Sequence, residues 1–130
     1  MDSKSLSSVC AELSGRKLLV FDLDGTLLDT MQDIHEAVNY ALSRQGLPTH
    51  SLEAVTQMVG NGVSVLTQKA LNGAGDAETF LQDYLAYYRT HLCDKTAPYP
   101  GLAEVLPRLR VYGFTFAVLS NKPQSETERL

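Results

Sequence analysis

Two carboxylates stand close together in the segment Asp22-Leu23-Asp24-Gly25-Thr26, directly after an apolar run. An aspartate can attack phosphorus and form an aspartyl-phosphate, and a neighbouring carboxylic acid can protonate the departing alkoxide and then activate water. Adjacent carboxylates repel each other, and Mg²⁺, which prefers oxygen ligands, relieves that repulsion. The segment is therefore a candidate site for phosphoryl transfer, with Asp22 and Asp24 as candidate metal ligands.

Two other interpretations of this segment have to be considered. Asp-Gly is a common turn dipeptide, but a plain turn after a strand leaves the second aspartate and Thr26 without a role. A calcium loop also begins with Asp-x-Asp, but it needs glycine at its sixth position and glutamate at its twelfth. Those positions are Leu27 and Asp33 here. The sequence therefore favours the phosphoryl-transfer interpretation.

A second polar segment, Ser120-Asn121-Lys122, follows the apolar run from Phe114 to Leu119. A hydroxyl and backbone amides placed after a buried strand can bind a phosphoryl oxygen. Ser120 is the expected phosphate ligand, and Asn121 is expected to contribute its backbone. Lys122 is either a substrate contact or a solvated charge, and the whole segment is also typical of a surface turn.

Gly60-Asn61-Gly62 separates two predicted helices. Two glycines suit a flexible connector. They also suit a loop whose bare backbone approaches a small anion. Both interpretations stay open, and Gly60, Asn61 and Gly62 are candidate substrate contacts.

The elements that must position these residues are two apolar runs, Leu18 to Phe21 and Phe114 to Leu119. Each reads as a strand buried on both faces, as in a parallel sheet. Ligands of such sheets bind at the carboxyl ends of the strands, where Asp22 and Ser120 both stand. The pattern T-x-x-D at Thr30 and Asp33 predicts a helix start capped by these side chains.

Helical periodicity fills the region between the two strands. Apolar residues recur at spacings of three and four, which predicts a small bundle with core-packing stripes. A short helix is also expected within 51–58. The three stripes are Ile34, Val38, Ala41 and Leu42, then Val63, Leu66, Ala70 and Leu71, then Leu81, Tyr84, Leu85, Tyr88 and Leu92. A Pro/Gly-rich boundary at 96–101 and a further helix lead into the second strand.

Bulk composition excludes several classes of function. The formal net charge of −4 argues against a nucleic-acid binder. No apolar run approaches the roughly 20 residues that span a bilayer, and residues 1–15 carry no long apolar signal segment; we expect them to be a disordered tail. Cys10 and Cys93 form no CxxC pair and are expected as free thiols in a cytoplasmic protein, with a disulfide between them as the alternative. The histidines His35, His50 and His91 are expected to be packing or surface residues.

The segment FDLDGTLLDT closely resembles the first motif of the haloacid dehalogenase-like superfamily. The resemblance covers about residues 16–125 and includes PYPG and SNKP; VGNGVSVLTQKAL looks like the cap segment of phosphoglycolate phosphatases. It implies that Asp22 is the nucleophile, that Asp24 is the general acid/base, and that the Asp22 carboxylate and the Asp24 carbonyl bind Mg²⁺. Gly25 and Thr26 would belong to the phosphate loop. An acid at the position of Asp24 favours phosphoryl transfer over dehalogenation.

The resemblance also implies an architecture. We expect an α/β, Rossmann-like parallel-sheet core, incomplete here, with an inserted α-helical cap domain. Residues 1–29 and 96–130 would form the core, and residues 30–95 the cap. The family's third-motif lysine and fourth-motif acids would lie beyond residue 130, so residues 1–130 alone are expected to be a weak catalyst and a marginal fold.

The expected activity is Mg²⁺-dependent hydrolysis of a small phosphorylated metabolite, with 2-phosphoglycolate as the leading candidate. A related sugar-phosphate phosphatase or phosphomutase would carry the same motifs. A non-catalytic truncated fragment or interaction module is the alternative of another class. The oligomeric state is left open.

Overall fold

The computed structural model describes residues 5–13, 15 and 17–130. A sheet lobe holds the two predicted strands, and a helical lobe lies between them in the chain. The elements in order are α1 (Leu6–Glu12), β1 (Leu18–Phe21), β2 (Leu28–Asp29), α2 (Met31–Arg44), α3 (Leu52–Thr56), α4 (Val63–Leu71), α5 (Ala77–His91), β3 (Ala97–Pro98), α6 (Leu102–Val111), β4 (Thr115–Val118) and α7 (Gln124–Arg129).

The sheet lobe is built on a parallel pair of strands. β1 and β4 pair in a register that sets Leu18 opposite Thr115 and Phe21 opposite Val118. The Leu119 N–H continues the ladder by donating to the Phe21 carbonyl at 2.8 Å. Because both strands end at the same edge, the residues that follow them meet there. The predicted α/β class and parallel pairing are confirmed.

Burial of the strands differs from the sequence prediction. Leu19 and its register partner Phe116 pack against a small apolar cluster of Cys10, Leu109 and Phe114. Leu18 and Val20, which point the other way, are each 54% exposed. Within the described part of the chain only one face of the strand pair is covered, because helices α1 and α6 bring apolar side chains to that face alone.

The N-terminal segment also differs from the predicted disordered tail. Residues Leu6–Glu12 form α1, which Ser5 caps by accepting a hydrogen bond from the Ser8 N–H at 3.3 Å. Cys10 on this helix is buried against the cluster under β1 and β4. Burial of that side chain stabilises the helix. Residues 1–4 and 14 of the predicted tail, and residue 16 after it, lie outside the described residues.

The helical lobe has its own, larger apolar core. α2 packs along α5, and α3 and α4 complete the bundle. The predicted stripe of α2 is buried, as are Tyr84, Tyr88 and Leu92 of the α5 stripe. In the α4 stripe Leu66, Ala70 and Leu71 are buried, whereas Val63 is only partly buried. Phe80 is fully buried although the sequence analysis did not select it, and Leu81 and Leu85 are only partly buried. The predicted bundle is therefore confirmed. The buried stripe of α5 begins at Phe80 instead of the predicted Leu81.

Two short strands mark where the chain crosses between the lobes. β2 and β3 pair antiparallel, with Leu28 opposite Pro98 and Asp29 opposite Ala97. The buried Asp33 carboxylate fixes the return crossing by accepting from the backbone N–H groups of Lys95 and Thr96, at 2.9 and 2.8 Å. The predicted helix start is confirmed, because α2 begins at Met31 with Thr30 at its N-cap position. The predicted capping by side chains is wrong, because Thr30 makes no capping hydrogen bond and the Thr30 and Asp33 side chains have more distant partners.

Within the described part of the chain, no helix combines the length and apolarity needed to cross a membrane.

Candidate active site

A pocket lies between the carboxyl ends of β1 and β4 and the helical lobe. The sheet lobe lines it with Asp22, Asp24, Ser120, Asn121, Lys122 and Glu126. The helical lobe contributes, among others, Gly60, Gly62, Tyr84 and Tyr88. The structure thus brings together most of the residues that the sequence analysis selected from three separate segments. Gly25, Thr26 and Asn61 are not among the lining residues, and their predicted phosphate contacts stay predictions.

The loop after β1 presents the two aspartates. Leu23 is buried and its carbonyl accepts the N–H groups of Thr26, Leu27 and Leu28, which closes a tight turn. Gly25 has φ +77°, a conformation that favours glycine. The exposed Asp22 carboxylate accepts the Leu23 N–H at 2.8 Å. The turn therefore holds Asp22 at the end of the strand with its side chain accessible.

Asp24 is held by two donors on a single oxygen. Its Oδ1 accepts from the Thr30 hydroxyl at 2.6 Å and from the Lys122 ammonium at 2.9 Å. The Asp24 and Lys122 side chains are only 12% and 6% exposed. Of the two roles considered for Lys122, the solvated charge is wrong, because the ammonium forms a largely buried ion pair with Asp24.

The loop after β4 contacts both the first loop and the helical lobe. The Ser120 hydroxyl accepts the Lys122 N–H at 3.1 Å, which closes a local turn. The Asn121 amide donates to the Gly60 carbonyl at 2.8 Å. Asn121 therefore joins the two lobes through its side chain, whereas the sequence analysis expected only a backbone contribution.

A second polar contact joins the lobes at the side of the pocket. Arg89 of α5 donates its Nε–H to the buried Glu126 carboxylate of α7 at 2.7 Å. Burial raises the pKa of Glu126, but hydrogen bonds from Arg89 and Ser125 outweigh it, so this pKa lies below its ordinary value. Glu126 stays charged and paired, and the contact helps hold the lobes together.

Tyr88, which the sequence predicted as a core-packing residue, lies in that core and also lines the pocket. Its side chain is 2% exposed, and the Lys122 ammonium lies over its ring at 4.8 Å from the centroid. Its buried hydroxyl makes no hydrogen bond within the described part of the chain. Burial raises the pKa of Tyr88 far above its ordinary value, so the phenol stays uncharged.

The other residues missed by sequence reasoning are Thr30 and Glu126. Thr30 is fully buried, and its signal in the sequence pointed to a helix cap instead. The histidines behave as predicted: His35 and His50 donate to backbone carbonyls of the helical lobe, and His91 stacks on Tyr87. None of them lines the pocket.

The aspartate loop offers oxygen donors that suit a hard cation. The Asp22 carboxylate is exposed, and within the described residues no backbone N–H donates to the main-chain carbonyl of Asp24. The Asp24 side chain is already engaged by Thr30 and Lys122. These two oxygens fit Mg²⁺ but fill only part of a shell of about six ligands. The described residues contain no cluster of three or more potential metal-binding side chains.

Substitution of the two loop glycines tests how closely that loop approaches the site. A Cβ on Gly62 would lie 3.5 Å from the Asn121 carbonyl, whereas one on Gly60 would meet nothing within 4 Å. Both residues have positive φ, so each variant carries similar backbone strain. We expect Gly62→Val to reduce kcat/KM for a phosphate ester by about tenfold more than Gly60→Val does, at similar melting temperatures. Equal effects of both variants on catalysis and stability would support a simple connector.

Comparison with curated proteins shows that the sequence of this chain is similar to those of several phosphatases. A phosphoglycolate phosphatase of Cereibacter sphaeroides is 36% identical over 118 residues, which cover 86% of this chain and 54% of the relative. One from Pseudomonas putida is 40% identical over 117 residues, covering 83% of this chain and 42% of the relative. The chain therefore spans about half the length of the curated relatives it matches.

Solved structures show the same fold. A predicted phosphoglycolate phosphatase from Haemophilus somnus superimposes with a TM-score of 0.80 at 34% identity, covering 84% of this chain and 53% of that one. A predicted phosphatase from Clostridium acetobutylicum gives 0.77 at 26% identity, covering 87% and 53%. The profile of the haloacid dehalogenase-like hydrolases matches residues 19–130. With its aspartate loop at the end of the first strand, the chain belongs to the haloacid dehalogenase-like hydrolase family.

Proposed function

We propose that this chain supplies the nucleophile and the general acid/base of a Mg²⁺-dependent phosphate monoester hydrolase. The observation that carries the proposal is the meeting of Asp22, Asp24, Ser120 and Lys122 in one pocket at the carboxyl edge of the sheet. The names of the relatives support phosphatase activity. Because the chain spans about half their length, the activity is proposed for the full-length enzyme, meaning this chain together with the remaining length of its relatives.

In the first step, an Asp22 carboxylate oxygen attacks phosphorus and the bond from phosphorus to the ester oxygen breaks. Asp24 gives its proton to the departing alkoxide, which leaves as an alcohol, and the phosphoryl group stays on Asp22. The accessible Asp22 side chain suits this attack. Ser120 follows the neighbouring strand and lines the same pocket, where its hydroxyl can hydrogen-bond an oxygen of the transferring group.

In the second step, water attacks the same phosphorus and the bond to Asp22 breaks. Asp24, now a carboxylate, takes a proton from that water, and inorganic phosphate leaves. Mg²⁺, held by the Asp22 carboxylate and the Asp24 carbonyl, would supply charge neutralisation for the oxygens around phosphorus. The two aspartates are thus both restored at the end of the cycle.

The helical lobe is proposed to act as the cap of this enzyme. It supplies one wall of the pocket and crosses to the sheet lobe at β2 and β3. Lobes that close over a substrate exclude water from the reacting groups until the intermediate has formed. The polar contacts of Asn121 and Glu126 with the helical lobe support this proposal, because they join the two lobes beside the pocket.

2-Phosphoglycolate is the proposed substrate, in the cytoplasm. The support is the name shared by the two curated relatives and the small pocket, in which Lys122 is the sole cationic side chain among the described lining residues. A small dianionic ester with a carboxylate suits such a pocket better than a bulky sugar phosphate. The alternatives to test are hydrolysis of sugar phosphates and interconversion of sugar phosphates by a phosphomutase.

The test is phosphate release by the full-length enzyme from 2-phosphoglycolate, glucose 6-phosphate and p-nitrophenyl phosphate. We expect kcat/KM to be highest for 2-phosphoglycolate. A preference for sugar phosphates, or isomerisation without phosphate release, would overturn the proposed substrate; no release from any ester would overturn the hydrolase.

Metal removal is expected to stop the same reaction. An ion held by few protein ligands and several waters exchanges readily, so a chelator should reduce turnover by more than about a hundredfold. Excess Mg²⁺ should restore it, and Ca²⁺, which prefers a larger shell, should not. Undiminished turnover after exhaustive chelation would contradict the role given to the metal.

A further inference from the structure

Asp24, the proposed acid/base, is linked to a side chain of the helical lobe through a third residue. The link is Lys122, whose ammonium is 2.9 Å from Asp24 Oδ1 and lies over the Tyr88 ring. A buried ion pair is favourable only when its geometry is well supported, because both charges have lost water. The ring face supplies such support, since a desolvated ammonium is attracted by the negative face of an aromatic ring.

The geometry of Asp24 shows what this support achieves. Thr30 and Lys122 both donate to Oδ1. Oδ2 accepts no hydrogen bond from any residue that the structure describes. Two donors on one oxygen fix the orientation of the carboxyl group and leave Oδ2 for the proton that the mechanism transfers. A lysine has a long, flexible stem, so the ammonium needs a second partner to stay on Oδ1.

We infer that Tyr88 is a positioning residue: its ring holds the Lys122 ammonium on Asp24 Oδ1, so that Asp24 Oδ2 is set to exchange protons with the leaving group and with water. This inference rests on the proposed function and deepens it. It assigns the role to the ring of Tyr88 and not to its hydroxyl. It also makes the acid/base geometry dependent on closure of the helical lobe, because Tyr88 lies on α5.

Tyr88→Leu removes the ring, whereas Tyr88→Phe keeps it. We expect Tyr88→Leu to slow single-turnover transfer from an alkyl phosphate by about thirtyfold, because a misplaced acid cannot protonate the alkoxide. Transfer from p-nitrophenyl phosphate, whose leaving group needs no proton, should slow less than about threefold. KM should change little. Tyr88→Phe should recover most of the alkyl-phosphate rate.

Phe80→Leu is the matched control for loss of a buried aromatic side chain from the same helix. Phe80 is fully buried but does not line the pocket, so this variant should lose stability while keeping the ratio of alkyl to aryl rates. Equal slowing of both esters in Tyr88→Leu would overturn the inference. So would an equal loss in Tyr88→Phe, which would point to the hydroxyl.

A measurement independent of turnover separates this inference from the proposed function. The Lys122 side-chain protons should show a ring-current shift in NMR spectra of the wild type and Tyr88→Phe, and lose it in Tyr88→Leu. An unchanged Lys122 signal in Tyr88→Leu would refute the positioning role even in a folded variant. Absence of turnover in the wild type would refute the proposed function, and the NMR result would still decide the inference.

Discussion

Asp22→Asn is expected to reduce turnover of the full-length enzyme by more than about a thousandfold, the scale seen when a covalent nucleophile is removed. An amide is a poor nucleophile toward phosphorus, and it carries no charge to offer a metal ion. The measurement is phosphate release under saturating ester, with the unfolding midpoint followed in parallel. Asp22 is exposed, so the variant should fold as the wild type does.

Asp29→Asn is the matched control for that experiment. Asp29 is an exposed residue of β2, outside the pocket lining, and the same change there should leave turnover within about threefold. Near-normal turnover in Asp22→Asn would contradict the covalent mechanism. A large loss in Asp29→Asn would instead show that the assay responds to charge near the crossing segments.

Asp33→Ala is expected to have the largest effect on stability. The carboxylate is buried and accepts two backbone N–H groups and the Thr96 hydroxyl. Removing it leaves three partly buried donors without their acceptor, which should lower the free energy of unfolding by about 3 kcal/mol. The measurement is urea-induced unfolding followed by circular dichroism.

Asp94→Ala provides the comparison, because Asp94 is an exposed aspartate of the same return segment. Its loss should change the free energy of unfolding by less than about 0.5 kcal/mol. If the two variants are equally stable, the Asp33 hydrogen bonds do not stabilise the segment that returns from the helical lobe to the sheet lobe. A loss in Asp33→Ala that is accompanied by a changed denaturant dependence would indicate that the lobes unfold separately.

Sequence patterns predicted the helices and strands of this fold better than they predicted which side chains of those elements are buried. The apolar runs before Asp22 and Ser120 predicted two strands and their parallel order, and the three- and four-residue spacings predicted α2, α4 and α5. These patterns are local, because strands and helices are periodic. Burial of Leu18 and Val20 could not be read the same way, since it depends on which helices reach that face of the sheet.

The candidate site shows the same division. Asp22, Asp24 and Ser120 could be placed because each follows a strand. The partners of Thr30 and Asp33 could not, because a local T-x-x-D pattern predicts a cap, whereas Asp33 contacts residues 62 and 63 positions later. The Lys122–Asp24 contact joins residues 98 positions apart. Its burial under Tyr88 depends on how the two lobes pack, which no spacing in the sequence encodes.

The two apolar clusters of the molecule are unequal, and this has a consequence for folding cooperativity. Among the residues that the structure describes, the helical lobe buries 13 in one cluster, whereas the cluster under β1 and β4 contains three. The pairing of α2 with α5 in the larger cluster closes only residues 45–76, so this cluster closes a shorter loop and can nucleate earlier. The aspartate loop, by contrast, depends on pairing β1 with a strand almost a hundred residues away. The candidate active site therefore depends on the smaller cluster, which we expect to form later and to be less protected from hydrogen exchange than the helical lobe.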